Sequence, residues 1–233
     1  MDPAAIVFDL DGVLVDSEQV WDEVRREVTG EGGGRWTEGA TRAMQGMSTP
    51  EWSTYLVDEL GVAGPPEEVA EVVIERMAER YRVGVPLLPG AVDAVTALAR
   101  IWPLAVASSS PPQLIRVVLH AAGIAARFRA LVSSEEVPRG KPAPDVYLAA
   151  ADRLAADPTR CVAVEDSTNG LRSAAAAGMA VVAVPNPHFP PPADALALAA
   201  ATVPTPAGVT PGLIRSLPER PRPRSDQSTV PYA

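Results

Sequence analysis

Short, wholly apolar runs recur along the chain, each closing on polar residues and separated by amphipathic stretches. Ala4-Ala5-Ile6-Val7-Phe8 ends at Asp9, and the pattern returns at Leu104 to Ala107, Ala130 to Val132, Cys161 to Val164 and Ala180 to Val184. Runs of this length without polar alternation mark strands buried on both faces. Stretches of helical period fall between them at 90–100, 111–122, 144–156 and 167–177. Such strands alternating with helices predict an α/β fold with a doubly wound parallel sheet, Rossmann-like in layout. Ligands of these sheets gather at the carboxyl ends of the strands, where Asp9, Ser108 and Asp166 fall.

One long segment breaks the alternation. From Ser17 to Val85 the chain is charged and helical in period, with no buried run. Helices are expected over 18–28, 37–45, 50–60 and 66–82, with Pro50 and Pro66 suited to first turns and Gly61 to a C-terminal cap. An insertion of this size after the first strand predicts a helical cap of residues 17–85 over the sheet's carboxyl edge, the core comprising 1–16 and 86–217. Gly30-Glu31-Gly32-Gly33-Gly34 follows a helix, not a strand, and so reads as a helix-to-helix loop and not as a dinucleotide fingerprint. The proline-crowded stretch 185–192 reads as an irregular connection. Residues 218–233, with Arg220-Pro221-Arg222-Pro223-Arg224, read as an extended or disordered tail.

Composition narrows the function classes. Apolar residues make up 47% of the chain, enough for a sizeable core. A formal charge of −9 argues against nucleic acid, whose backbone needs a basic face. No apolar run is long enough to cross a bilayer, and the first residues lack the basic start and apolar stretch of a secretory signal. A cytoplasmic protein without membrane contact, monomeric or weakly dimeric, is expected. The single cysteine, Cys161, sits in a buried run and is expected to be structural; it leaves no partner for a disulfide within the chain.

Four elements carry candidate chemistry, three of them at strand ends. Asp9 and Asp11, two apart at a strand end, face the same way, and their repulsion favours a bound cation or a shared proton. Gly12 permits a tight turn there, although Asp and Gly are also ordinary turn residues. Ser108-Ser109-Ser110, between a strand and a helix, offers hydroxyls and amides to a phosphate, or simply a helix cap. Lys141 is the only lysine beside nineteen arginines, so its ammonium has a specific use. A compact charge suits contact with both a carboxylate and a phosphoryl oxygen. Glu165 and Asp166 end another strand, and beside Asp9 and Asp11 they make a hard oxygen site suited to Mg²⁺; as a helix cap, only one of the two would be used.

In this order and at matching strand ends, the four elements resemble the haloacid dehalogenase-like hydrolase superfamily. The similarity is to the branch with a helical cap after the first strand, which includes β-phosphoglucomutase and phosphoglycolate phosphatase. Asp9-Leu10-Asp11-Gly12-Val13-Leu14 matches the first motif, Ser108 the second, Lys141 the third and Glu165-Asp166 the fourth, and the likeness spans about residues 4–215. The resemblance implies Mg²⁺-dependent hydrolysis of a small phosphorylated metabolite, a sugar phosphate or similar. It makes Asp9 the nucleophile and Asp11 the acid/base, with Ser108, Ser109 and Lys141 on the phosphoryl oxygens. The metal would be held by Asp9, the Asp11 carbonyl, Asp166 and Glu165.

Absences refine that expectation. Dehalogenases of the superfamily lack the second aspartate, and phosphonate-cleaving members need a cap lysine that this chain does not have. β-Phosphoglucomutase, the nearest alternative, needs cations for a second phosphate where this chain carries Trp21, Thr49 and Pro111, so hydrolysis is expected. Glu18, Trp21, Met47 and Thr49 are expected to reach the site from the cap, Trp21 being equally a candidate for cap core. His120 and His188 match no motif and are expected to be structural or exposed. A phospho-accepting receiver module or a binding protein with a vestigial site would share some of these residues. The inserted cap and the Asp-x-Asp spacing speak for an enzyme.

Overall fold

Each apolar run forms a strand of one sheet. In the computed structural model, residues 2–44, 47–187 and 190–218 are described; the expectations for His188 and for the tail from 219 lie outside the described residues. The strands are β1 (Ala5–Phe8), β2 (Leu104–Ser108), β3 (Phe128–Ser133), β4 (Cys161–Glu165), β5 (Ala180–Ala183) and β6 (Ala201–Thr202). All pairings are parallel, in the order β3-β2-β1-β4-β5-β6. β6 was not expected from the sequence, because two partly exposed residues leave no apolar run to read.

Between β1 and β2 the chain forms α1 (Glu18–Glu31), α2 (Ala40–Ala43), α3 (Thr49–Asp58), α4 (Pro66–Val83) and α5 (Ala91–Ala99). The later helices are α6 (Pro112–Ala121), α7 (Asp145–Arg153), α8 (Thr168–Ala176), α9 (Ala193–Leu196) and α10 (Pro211–Ser216). α9 and α10 are too short to show a helical period. α10 is instead set by its cap, Thr210 Oγ1 accepting from the Leu213 amide at 3.2 Å.

Side chains alternate across the sheet, and both faces are covered. Ile6, Phe8, Val106, Val164 and Val182 point to the face packed by α5 and α6. Ala5, Val7, Ala107, Ala163 and Val181 point to the other, packed by α7 and α8. Every position of β1, β2, β4 and β5 is therefore buried, which is why these runs carry no polar alternation.

The segment after β1 is helical, with no strand between residues 18 and 83 among the described residues. α1, α3 and α4 pack around Val24, Val28, Trp52, Leu56, Val73, Met77 and Tyr81, and α4 also lies against α6. Its two ends run side by side. Asp16 N donates to Pro86 O at 2.8 Å, and Leu88 N to Leu14 O at 3.0 Å. α1 continues through Gly30 and Glu31, three residues beyond the expected end at 28. Glu31 is held across to α4 by Arg76, whose Nη1 donates to Glu31 Oε1 at 2.9 Å. Among the described residues no helix is long and apolar enough to cross a membrane.

Candidate active site

The parallel register of β1 and β4 brings two acidic strand ends together. Asp9 N donates to Val164 O at 2.9 Å, extending the ladder one residue past the strand. The sheet's order reverses here, since β1 leads to β2 on one side and lies against β4 on the other. That is the crevice where doubly wound sheets bind ligands. Gly12 turns the chain at φ 76°, and a Cβ there would fall 2.0 Å from Asp166 Oδ2. The loop after β1 thus closes directly on the acid after β4, and only glycine fits between them.

Lys141 ties these strand ends together. Its side chain is 5% exposed, with Nζ 2.6 Å from Glu165 Oε1 and 2.9 Å from Asp9 Oδ1. The contact to Asp9 is an ion pair off the hydrogen-bond line, so Asp9 Oδ1 is buried without a hydrogen-bond donor. Glu165 has no exposed surface. It also accepts from Tyr147 Oη at 2.8 Å, Asp166 N at 2.9 Å, Ser167 N at 3.1 Å and Ser167 Oγ at 3.2 Å.

The end of β2 supplies hydroxyls. Ser110 Oγ donates to Asp11 Oδ2 at 2.6 Å. Ser108 Oγ accepts from Ser110 N at 3.0 Å and lies 3.4 Å from Asp11 Oδ2. Ser108 is fully buried, so Ser109 and Ser110 carry the pocket surface at this strand end. Ser110 was read from the sequence only as part of a serine run. That its hydroxyl reaches Asp11 depends on the placement of β2 beside β1.

Charge in this cluster is heavily one-sided. Burial, then the neighbouring carboxylates of Glu165 and Asp11, push Asp9 up to about 8 against the opposing pull of Lys141. Burial and the charges of Glu165 and Asp9 likewise raise Asp166 well above its usual range. For Lys141 burial works downward, but Asp9 and Glu165 outweigh it and hold the ammonium protonated. Carboxylate oxygens of Asp9, Glu165 and Asp166 lie within 4.8 Å of one another. Three buried acids facing one cation, with one oxygen lacking a donor, fit a hard divalent ion as the missing charge.

These residues open into a cavity of about 200 Å³, below the roughly 300–1,000 Å³ of drug-sized ligand pockets, so it suits a small metabolite. Asp9, Asp11, Lys141 and Asp166 line its floor, and Glu18, Trp21, Met47 and Thr49 line it from the helical segment. Trp21 is half-buried and also packs on Trp52, so it serves both the cap interior and the pocket wall. His120 lies exposed on α6, away from this pocket.

Arg25 lines the same pocket and was not singled out from the sequence. Its signal was helical spacing. Trp21 and Asp22 come three and four residues after Glu18, and Arg25 comes four and three residues after them, which puts all four on one face of α1. Burial lowers Arg25 to about 10, with Asp11 the largest of the charges opposing that shift. The pocket therefore does carry a cap cation, at a position the comparison of Trp21, Thr49 and Pro111 did not cover.

A doubly wound sheet whose strand ends bring an Asp-x-Asp pair, a buried lysine and further acids around a small cavity defines an enzyme of the hydrolase class. The family model for haloacid dehalogenase-like hydrolase matches residues 3–178. The chain belongs to this family, in its helical-cap branch, and is an enzyme of the phosphatase kind. Hexitol phosphatase B of Escherichia coli is 38% identical over 192 residues, covering 79% of this chain and 84% of that protein. The fructose-1-phosphate phosphatase YqaB of Escherichia coli is 33% identical over 183 residues, covering 78% and 96%. The crystal structure of CbbY from Rhodobacter sphaeroides in complex with phosphate superposes with a TM-score of 0.80 at 25% identity, covering 89% of this chain and 96% of that one.

Proposed function

We propose that the protein is a Mg²⁺-dependent phosphatase that hydrolyses a sugar phosphate or similar small ester through an aspartyl-phosphate on Asp9. The observation that carries this reading is the buried Asp9 carboxylate at the pocket floor, its Oδ1 2.9 Å from Lys141 Nζ, with Asp11 and Asp166 lining the same floor. An Asp9 oxygen attacks phosphorus in line, and the substrate alcohol leaves with a proton from Asp11. Asp11 then takes a proton from the water that opens the aspartyl-phosphate, releasing inorganic phosphate and restoring Asp9. Ser110, donating to Asp11 Oδ2, leaves the other Asp11 oxygen for this proton.

Lys141 and Ser109 hold phosphoryl oxygens, with Ser108 setting the loop through the Ser110 amide. Asp9, Asp166 and the Asp11 carbonyl would hold Mg²⁺, which supplies charge neutralisation between phosphate and carboxylates. Glu165 already receives five donors, which supports a role in fixing Lys141 and the Asp166 backbone alongside any metal contact. Residues 17–85 act as a lid, moving about the paired crossings at Asp16–Pro86 and Leu14–Leu88.

The substrates named for the two Escherichia coli relatives and the small cavity support a sugar phosphate. Trp21, Thr49 and Pro111 line the pocket as uncharged groups, which supports hydrolysis over phosphate transfer between sugar positions. The test is multiple turnover of p-nitrophenyl phosphate with Mg²⁺, its abolition by a chelator, and phosphate release from hexitol phosphates, fructose 1-phosphate and phosphoglycolate. A mutase assay on glucose 1-phosphate runs beside these. No turnover of any ester, or isomerisation faster than phosphate release, would overturn the reading.

A further inference from the structure

Phosphoryl chemistry at the pocket floor leaves one half-buried charge of the pocket wall unused. The Arg25 guanidinium carbon lies 4.6 Å from the Trp21 ring centroid and 4.9 Å from that of Trp52, and the two rings stand 6.0 Å apart at 59°. Its Nε is buried without a hydrogen-bond partner, and no ion pair to it occurs among the described residues. The guanidinium lies against both rings from one side while the rings pack on each other, and its Nε–H is left as an unused donor. A buried donor left unpaired is costly, so this edge calls for an acceptor that arrives with the substrate.

Resting on the phosphatase reading, we propose that Arg25, held against Trp21 and Trp52, is the residue that selects the substrate's leaving group. It donates to adjacent hydroxyl oxygens of a polyol phosphate while the carbon skeleton lies against Trp21. Hydroxyls are favoured over a second anion by what surrounds the guanidinium. Asp11, Asp22 and Glu18 all act on Arg25 and face the same pocket, so a carboxylate or second phosphate would meet their repulsion. A hydroxyl accepts from Arg25 and donates to such a carboxylate at once. Asp22 is itself steadied by Arg26 at 2.6 Å and by Thr41, which keeps that wall acidic and in place.

The experiment compares the full chain with its Arg25→Met and Arg25→Lys variants on p-nitrophenyl phosphate, a hexitol 6-phosphate and 3-phosphoglycerate. Arg25→Met should lose at least about tenfold more kcat/KM on the hexitol phosphate than on the aryl ester, chiefly through KM. Its unfolding midpoint should change little, because methionine keeps an apolar stem of similar length against the two indole rings. Arg25→Lys, which lacks the planar fork, should show the same selective loss even if the Met variant folds poorly. Equal losses on both esters, full rescue by lysine, or a selective loss on 3-phosphoglycerate instead would overturn the proposal. Wild-type inactivity on p-nitrophenyl phosphate would overturn the phosphatase reading together with it. Wild-type activity with unselective Arg25 variants overturns this proposal alone.

Discussion

Replacing Gly170 by alanine tests how tightly the second acidic strand end is built. Gly170 lies in the first turn of α8, where alanine should gain about 1 kcal/mol from helix propensity alone. The added Cβ would fall 1.7 Å from Glu165 Oε1, 1.9 Å from its Cδ and 2.1 Å from Oε2. The carboxylate would have to retreat by more than about 1 Å, which takes hydrogen bonds of this kind beyond their working range. Glu165 is fully buried and receives Lys141, Tyr147, Asp166 N and Ser167, so it has nowhere to go without breaking them. Hydrogen bonds to a charged group are worth about 1.5–3 kcal/mol each, and losing two outweighs the propensity gain. Gly170→Ala should therefore cost about 2–5 kcal/mol in urea unfolding, with phosphatase turnover falling as Lys141 loses its second carboxylate. Gly30→Ala is the control. Gly30 is also helical, but a Cβ there meets nothing within 4 Å, so the variant should gain about 0.5–1 kcal/mol. Wild-type stability for Gly170→Ala, or shifts of the same sign at both glycines, would refute the reasoning.

Asp9→Asn should lose turnover by about four orders of magnitude or more in single-turnover assays. In chelator the same variant should unfold at a higher temperature than wild type, because burial, with the Glu165 and Asp11 carboxylates, disfavours an ionisable acid at this position and the amide is spared that cost. Added Mg²⁺ should stabilise the wild type and not the variant; equal Mg²⁺ shifts would place the metal elsewhere. Lys141→Met strands two buried carboxylates and should cost about 3–5 kcal/mol, partly recovered by adding Asp9→Asn; additive losses in that double-mutant cycle would deny the pairing. Ser48 Oγ and N donate to Glu51 at 2.6 and 2.7 Å at the start of α3, the Oγ bond being the main cause that holds Glu51 below its usual range. A depressed carboxyl contributes stability above its ordinary value of 4.5 and loses it as pH falls through the depressed one. Ser48→Ala should thus cost about 0.5–1 kcal/mol near neutrality and progressively less in acid, which thermal unfolding across pH would show.

Much of the architecture was legible because burial on both faces leaves a strong mark. β1, β2, β4 and β5 each read as an unbroken apolar run, and the stretch without such runs marked the helical insertion. β6, α9 and α10 were not legible, since two to six residues carry too little periodicity to separate from loop. Among the site residues, Asp9, Asp11 and Asp166 announced themselves by chemistry at strand ends, and Lys141 as the only lysine in the chain. Arg25 did not, because it is one arginine among nineteen and its spacing from Glu18, Trp21 and Asp22 gains meaning only once that helix face is known to line the pocket.

The sequence by itself determined the sheet, the order of its elements and the acids at the ends of β1 and β4, since periodicity and polar punctuation are local properties of the chain. Tertiary structure decided how those ends meet: Gly12 under Asp166, Gly170 under Glu165, and Ser110 on Asp11. It also decided that Arg25 lies against Trp21 and Trp52 with its Nε buried and unpaired, facing the charges of Asp11, Asp22 and Glu18. Whether a charge is solvated or stranded depends on what distant segments bring against it, and no local pattern records that.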